Sequence, residues 1–120
     1  METLAPELTE LAGDGADDPT LAADAALLEA LAHPVRLRLL MRLSRAPCCV
    51  GELVDDAELL QPRVSRHLAV LRQAGIVACE ADGRRRCYHL ARPELVRAVL
   101  DLLEAHRASP PGAPPPGEPT

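Results

Sequence analysis

Gln61-Pro62-Arg63-Val64-Ser65-Arg66-His67-Leu68-Ala69-Val70-Leu71-Arg72-Gln73-Ala74-Gly75 is the stretch on which the reading of the whole chain turns. Val64, Leu68 and Leu71 recur at i, i+4 and i+7, the spacing of one buried helical stripe. Gly75 then supplies a natural terminator. At ~100° per residue the opposite face carries Pro62, Arg63, Arg66, Ala69, Val70 and Gln73. A helix that hides one side and shows arginine and glutamine on the other suits the major groove, where Arg pairs with guanine and Gln with adenine. Arg66 lies opposite the centre of the apolar stripe and is the first choice for a base contact. Arg63 and Gln73 come next, with Gln61 at the N-terminal end. Ser65 and His67 flank this face and suit phosphate contact or packing.

Working outward, Ile76 to Ala81 and Arg85 to Leu90 read as two strands around Asp82-Gly83, a hairpin signal. A three-residue loop centred on Gly83 sets Cys79 directly opposite Cys87; a two-residue Asp82-Gly83 turn offsets them by one. Arg84, Arg85 and Arg86 stand at the tip, placed to grip the backbone or minor groove, which positions without specifying. Upstream lies a short helix from about Val50 to Ala57, with Leu53 and Val54 inward. Before it, Pro34 opens a helix running to about Arg45, with Val35, Leu39 and Leu43 on one face. Thr20 is expected to cap a first helix through Ala32, and Pro93 to open a last one reaching about His106. This order predicts a mainly α chain with a β-hairpin wing: a winged helix-turn-helix over residues 20–107. Residues 1–19 are expected to form a mobile acidic leader, and residues 108–120, with six prolines from Ser109 on, a disordered tail.

Charge agrees once it is divided. The 120 residues carry 13 basic groups, all arginine, and 18 acids, for a formal −5. Residues 1–30 hold eight acids and no base, whereas residues 31–107 hold nine acids against all 13 arginines, a local balance of +4. A basic middle fits a nucleic-acid binder. Tyr88 is the only aromatic residue, which excludes the stacking platforms of single-strand binders. No apolar run approaches the ~20 residues of a membrane span, and the N-terminus lacks a basic signal region. A cytoplasmic protein with reduced cysteines is expected, without membrane contact.

The sequence resembles the ArsR/SmtB family of winged-helix repressors over about Leu27 to Leu103. The likeness rests on Leu28-Glu29-Ala30-Leu31-Ala32-His33-Pro34-Val35-Arg36-Leu37-Arg38-Leu39-Leu40, on Gln61 through Val77, and on Gly83-Arg84-Arg85-Arg86-Cys87-Tyr88-His89-Leu90. The resemblance implies a homodimer that represses metal- or metalloid-resistance genes and leaves DNA when an inducer binds. Leu60 departs from it, standing where the family usually has a capping Ser; Leu accepts no hydrogen bond, so another group such as Gln61 is expected to cap.

Cys48 and Cys49 follow Pro47 at the start of the helix before the reading helix. Two thiolates there suit a soft ion, and helix N-termini favour thiolates. Cys49-Val50-Gly51-Glu52-Leu53 is similar to the family's arsenite-sensing Cys-Val-Cys-Asp-Leu, with Gly51 at the second Cys and Cys48 as an extra neighbour. The resemblance therefore implies trivalent arsenic or antimony as inducer at Cys48 and Cys49. A third sulfur is left to a small thiol, the partner subunit, Cys79 or Cys87. No organic cofactor is expected. The family's other sites lack their residues: Asp101 is followed by Leu102 and Leu103, His106 stands alone, no Cys precedes Cys48, and none lies in the last helix.

The last helix itself argues for a dimer. Leu95, Val99 and Leu102 make one apolar stripe and Val96, Leu100 and Leu103 another, one more than a terminal helix needs; Leu95, Val99 and Leu102 are expected to meet the partner subunit. A two-fold dimer presents two reading helices about one DNA turn apart, ~34 Å, to an inverted-repeat operator. A repressor with a thiol redox switch in place of an inducer is the alternative. An enzyme is not expected, since no Cys-x-x-Cys, Ser/His/Asp set or Gly-rich phosphate loop is present.

Overall fold

The computed structural model describes residues 18–109 and Gly112. Helix α1 (Pro19–Leu31) leads through α2 (Pro34–Leu43) to a two-residue strand β1 (Cys48–Cys49). Helices α3 (Val50–Ala57) and α4 (Gln61–Gln73) follow, then strands β2 (Val77–Asp82) and β3 (Arg85–Leu90), and finally α5 (Pro93–Ala108). The winged helix-turn-helix is therefore present as expected. The expectations for the leader up to Asp17 and for most of the tail lie outside the described residues.

Four helix starts carry Pro at their first or second position, where its missing N–H costs nothing and its fixed φ is already helical. The cap of α1 is Asp18 rather than Thr20: its carboxylate accepts from the N–H groups of Thr20 (2.9 Å) and Leu21 (3.3 Å). His33 caps α2 by accepting at Nδ1 from the N–H of Val35 at 3.0 Å. The start of α4 has no side-chain cap, from Gln61 or any other residue. The Leu60 carbonyl takes the N–H groups of Arg63 and Val64, Pro62 has none to offer, and the Leu60 side chain stands 79% exposed. The turn from α3 into α4 is made by Glu58 at φ 56°, a left-handed conformation that costs a non-glycine residue roughly 1–2 kcal/mol. Gly75, at φ 77°, ends α4 as expected.

The core gathers one stripe from each helix. Leu31, Leu39, Leu40, Leu53, Leu68 and Leu71, with Val64, Ile76 and Val96, are all buried. With no Phe or Trp, branched aliphatics fill the space, and Tyr88 closes it from β3.

The sheet departs from the expected two-stranded wing. Its order is β1-β3-β2, all antiparallel, so β1 adds a third strand. Asp82 pairs with Arg85, which makes Gly83-Arg84 the two turn residues. Both expected turn positions were therefore displaced toward the N-terminus. In the observed register Cys79 opposes Tyr88 and Glu80 opposes Cys87. Neighbours along a strand point to opposite faces, so Cys79 and Cys87 lie on opposite sides of the wing. No helix among the described residues is long and apolar enough to cross a membrane.

Candidate nucleic-acid interface and its neighbouring thiols

On α4 the buried stripe of Val64, Leu68 and Leu71 leaves Gln61, Arg63, Ser65, Arg66 and Gln73 exposed, while His67 is half-buried. Arg84, Arg85 and Arg86 are exposed at the hairpin tip. They line a cleft with Gln61, Cys49 and Glu52, so the wing faces the start of α4 across the start of α3. One cleft thus brings the wing arginines to the first residue of α4, which residue spacing alone does not establish, while Arg63 and Arg66 line separate clefts on α4.

His67 is tied into the fold. Its ring lies 4.3 Å from that of His33, centroid to centroid. Arg36 Nη1 donates to His67 Nδ1 at 3.3 Å, while Arg36 Nε and Nη2 donate to the carbonyls of Ala30 (2.6 Å) and Glu29 (3.2 Å). Arg36 therefore joins the end of α1 to the middle of α4, a role no helical period announces. Burial, then the nearby His33, Arg36, Arg63 and Arg66, holds His67 below its ordinary 6.5. The unfolded chain takes up this proton at higher pH than the folded chain, so acid destabilises the fold. Stability is expected to fall as pH drops below about 6.5 and on through the lower folded value, because a protonated Nδ1 no longer accepts from Arg36. Urea midpoints of wild type and His67→Gln between about pH 7.5 and pH 5 check this: the variant should lose less stability across that interval. Equal losses exclude His67 as the source.

The cysteines are arranged differently from their order in sequence. Cys48 is 3% exposed and turned into the core, with its thiol donating weakly to the Cys49 carbonyl at 3.5 Å. Burial pushes this thiol up, against the lowering effect of Arg42. Cys49 points the other way, as strand alternation requires. The two-sulfur contact expected between Cys48 and Cys49 is instead made by Cys49 and Cys87, cross-strand partners whose Sγ atoms are 2.8 Å apart. The Cys87 thiol is pushed up to about 11, first by its hydrogen bond with Cys49, then by burial, by Cys49 itself and by Asp82. Cys79 stands opposite Tyr88 in the β2–β3 register, on the other face of the wing. Cys49 also caps α3, and its N–H donates to Glu52 Oε1 at 3.2 Å. Glu52 in turn lies 3.9 Å from Arg42. Among the described residues no three of His, Cys, Asp and Glu converge as a metal site.

On α5, Val96 is buried and Val99 packs against the core, so Val99 does not stand apart from it as expected. Leu95 is half-buried and Leu102 is 69% exposed. On α1, Leu28 is 64% exposed and Leu21 is also exposed.

Known proteins match this chain over the same region. A family model described as bacterial regulatory protein, arsR family, matches residues 33–78. The HTH-type transcriptional repressor SmtB of Mycobacterium tuberculosis is 46% identical over 77 residues, which are 64% of this chain and 57% of that repressor. The match thus spans little more than half of that relative's length. The structure of reduced HlyU from Vibrio cholerae superposes with a TM-score of 0.63 at 37% identity, covering 70% of this chain and 87% of that one. The fold alone is shared with a homodimeric winged helix-turn-helix DNA-binding domain from Mycobacterium bovis, at a TM-score of 0.68 and 23% identity over 75% of this chain and 85% of that one. The chain belongs to the ArsR/SmtB family of winged helix-turn-helix transcriptional regulators.

Proposed function

We propose that the protein is a homodimeric repressor that binds an inverted-repeat operator and releases it when a soft metal or trivalent metalloid, arsenite or antimonite, engages Cys49. What carries the reading is the shared cleft: the wing arginines, the first residue of α4 and Cys49 line one surface. Arg66, Arg63, Gln73 and Gln61 read bases, Ser65 and His67 meet phosphate, and Arg84, Arg85 and Arg86 grip the backbone. The exposed Leu102 and Leu28 supply apolar surface for a second copy, as two-fold pairing requires.

The donor set fits a thiophilic ion in part. Cys49 and Cys87 offer two sulfurs in contact, while Cys48 and Cys79 face away, so a third ligand comes from a small thiol or the partner subunit. Bound there, the ion supplies sulfur-selective ligation and nothing else. The protein's own residues supply the linkage. Cys49 begins α3, α3 packs on α4, and Cys87 lies one residue from the wing arginines. A change in the Cys49–Cys87 relation therefore reaches both DNA-contacting elements.

Titration of operator binding with sodium arsenite tests this. Wild type and Cys48→Ala should lose affinity by about tenfold or more, a coupling of ~1.4 kcal/mol. Cys49→Ser should bind the operator without responding. A Cys49→Ser protein that responds like wild type places the sensor elsewhere.

A further inference from the structure

Cys49 and Cys87 are 38 positions apart in sequence, yet their sulfurs are 2.8 Å from one another, inside the contact distance of two non-bonded sulfur atoms. All four cysteines are free thiols. The pair are direct partners in the β1–β3 register, and directly opposed antiparallel residues have Cα atoms ~4.5–5.5 Å apart, within the ~4.4–6.8 Å that a disulfide spans. The competing sulfurs are turned away: Cys48 is buried, and Cys79 pairs with Tyr88 on the other face of the sheet. Cys49 lines the open cleft beside the wing arginines, so a small oxidant reaches it without unfolding.

We propose that Cys49 and Cys87 form a reversible intramolecular disulfide, made by a hydroperoxide and broken by a thiol reductant, that sets DNA affinity by fastening the wing to the first turn of α3. The regulatory half of this rests on the DNA-binding reading above; the bond itself does not.

The chemistry balances as two steps. The Cys49 thiolate attacks the nearer peroxide oxygen, the O–O bond breaks, and an alcohol or water leaves after taking a proton, with Cys49 as the sulfenic acid. The Cys87 sulfur then attacks the Cys49 sulfur, forming the S–S bond and expelling water with the Cys87 proton. Two thiols are oxidised by two electrons and one peroxide is reduced. The mechanical consequence follows from the length of β1. Only two residues hold β3 against the start of α3, so in the reduced protein this edge can part, and the bond removes that freedom. Closing the sulfurs to the ~2.05 Å of a disulfide draws the wing strand toward α3.

The experiment uses the full chain, reduced, desalted and exposed to hydrogen peroxide with a metal chelator present. Free thiols are then alkylated and tryptic fragments mapped by mass, and operator affinity is measured on the same samples with a duplex selected from a random pool. The expected fragment joins residues 46–63 to the segment beginning at Cys87, in wild type and in Cys48→Ala. It should be absent from Cys49→Ser and cleaved by dithiothreitol. Oxidised wild type should differ from reduced wild type in operator affinity by about tenfold, and Cys87→Ser should bind equally before and after peroxide. Alkylatable Cys87 after peroxide, or a bond to Cys48, to Cys79 or between chains, overturns the pairing. A Cys49–Cys87 bond with unchanged affinity overturns the switch. Reduced protein that binds no duplex DNA overturns the repressor reading, whatever the fragment map shows.

Discussion

Leu102→Glu is expected to leave each subunit folded, abolish the dimer and with it high-affinity operator binding. The side chain is 69% exposed in the single chain, so a carboxylate there meets water and the core of Val96, Leu68 and their neighbours is untouched. In the proposed dimer the same position is buried against a second copy. Removing an unpaired charge from water there costs about 3–5 kcal/mol, and two-fold symmetry applies the cost twice. A dimer with a micromolar dissociation constant has ~8 kcal/mol of association energy, so most of it is lost. One reading helix then meets one half-site, without the gain from linked binding. Sedimentation and thermal unfolding of the variant decide the matter. A folded monomer is the expected result; a dimer that persists at micromolar concentration moves the interface off α5.

The residues that were legible in sequence are those whose partners lie within the same helix. Val64, Leu68 and Leu71 announce α4 by their own spacing, Gly75 ends it, and the exposed arginines follow from which face remains. The proline starts at Pro34 and Pro93 are equally local. What was not legible depends on residues far apart. A strand of two residues has no period, so β1 exists only because β3 comes to pair with it, and that pairing sends Cys48 inward and Cys49 to Cys87. The hairpin turn is placed by cross-strand fit and not by Asp82-Gly83 alone, which moved the register by one or two residues and separated Cys79 from Cys87. Glu58 takes a left-handed turn with no glycine or asparagine to signal it. Arg36 reads as one more cation on α2, and only the packed structure brings it to His67.

Arg66→Ala carries the second large expectation, because Arg66 is exposed at the centre of the helix face opposite Leu68. A bidentate guanidinium contact to guanine discriminates by about 1–3 kcal/mol, so specific affinity should fall roughly 5- to 150-fold while binding to unrelated duplex changes little. Arg85 on the wing provides the contrast. In the proposed complex it meets phosphate, so Arg85→Ala should weaken all DNA alike and lower the slope of log affinity against log salt by about one. The most direct measurement is the affinity of wild type, Arg66→Ala and Arg85→Ala for a selected operator and a scrambled duplex across a series of salt concentrations. If α4 reads the operator and the wing holds it, the ratio of specific to scrambled affinity collapses only in Arg66→Ala. A ratio that Arg66→Ala leaves intact, or that falls equally in both variants, contradicts the account.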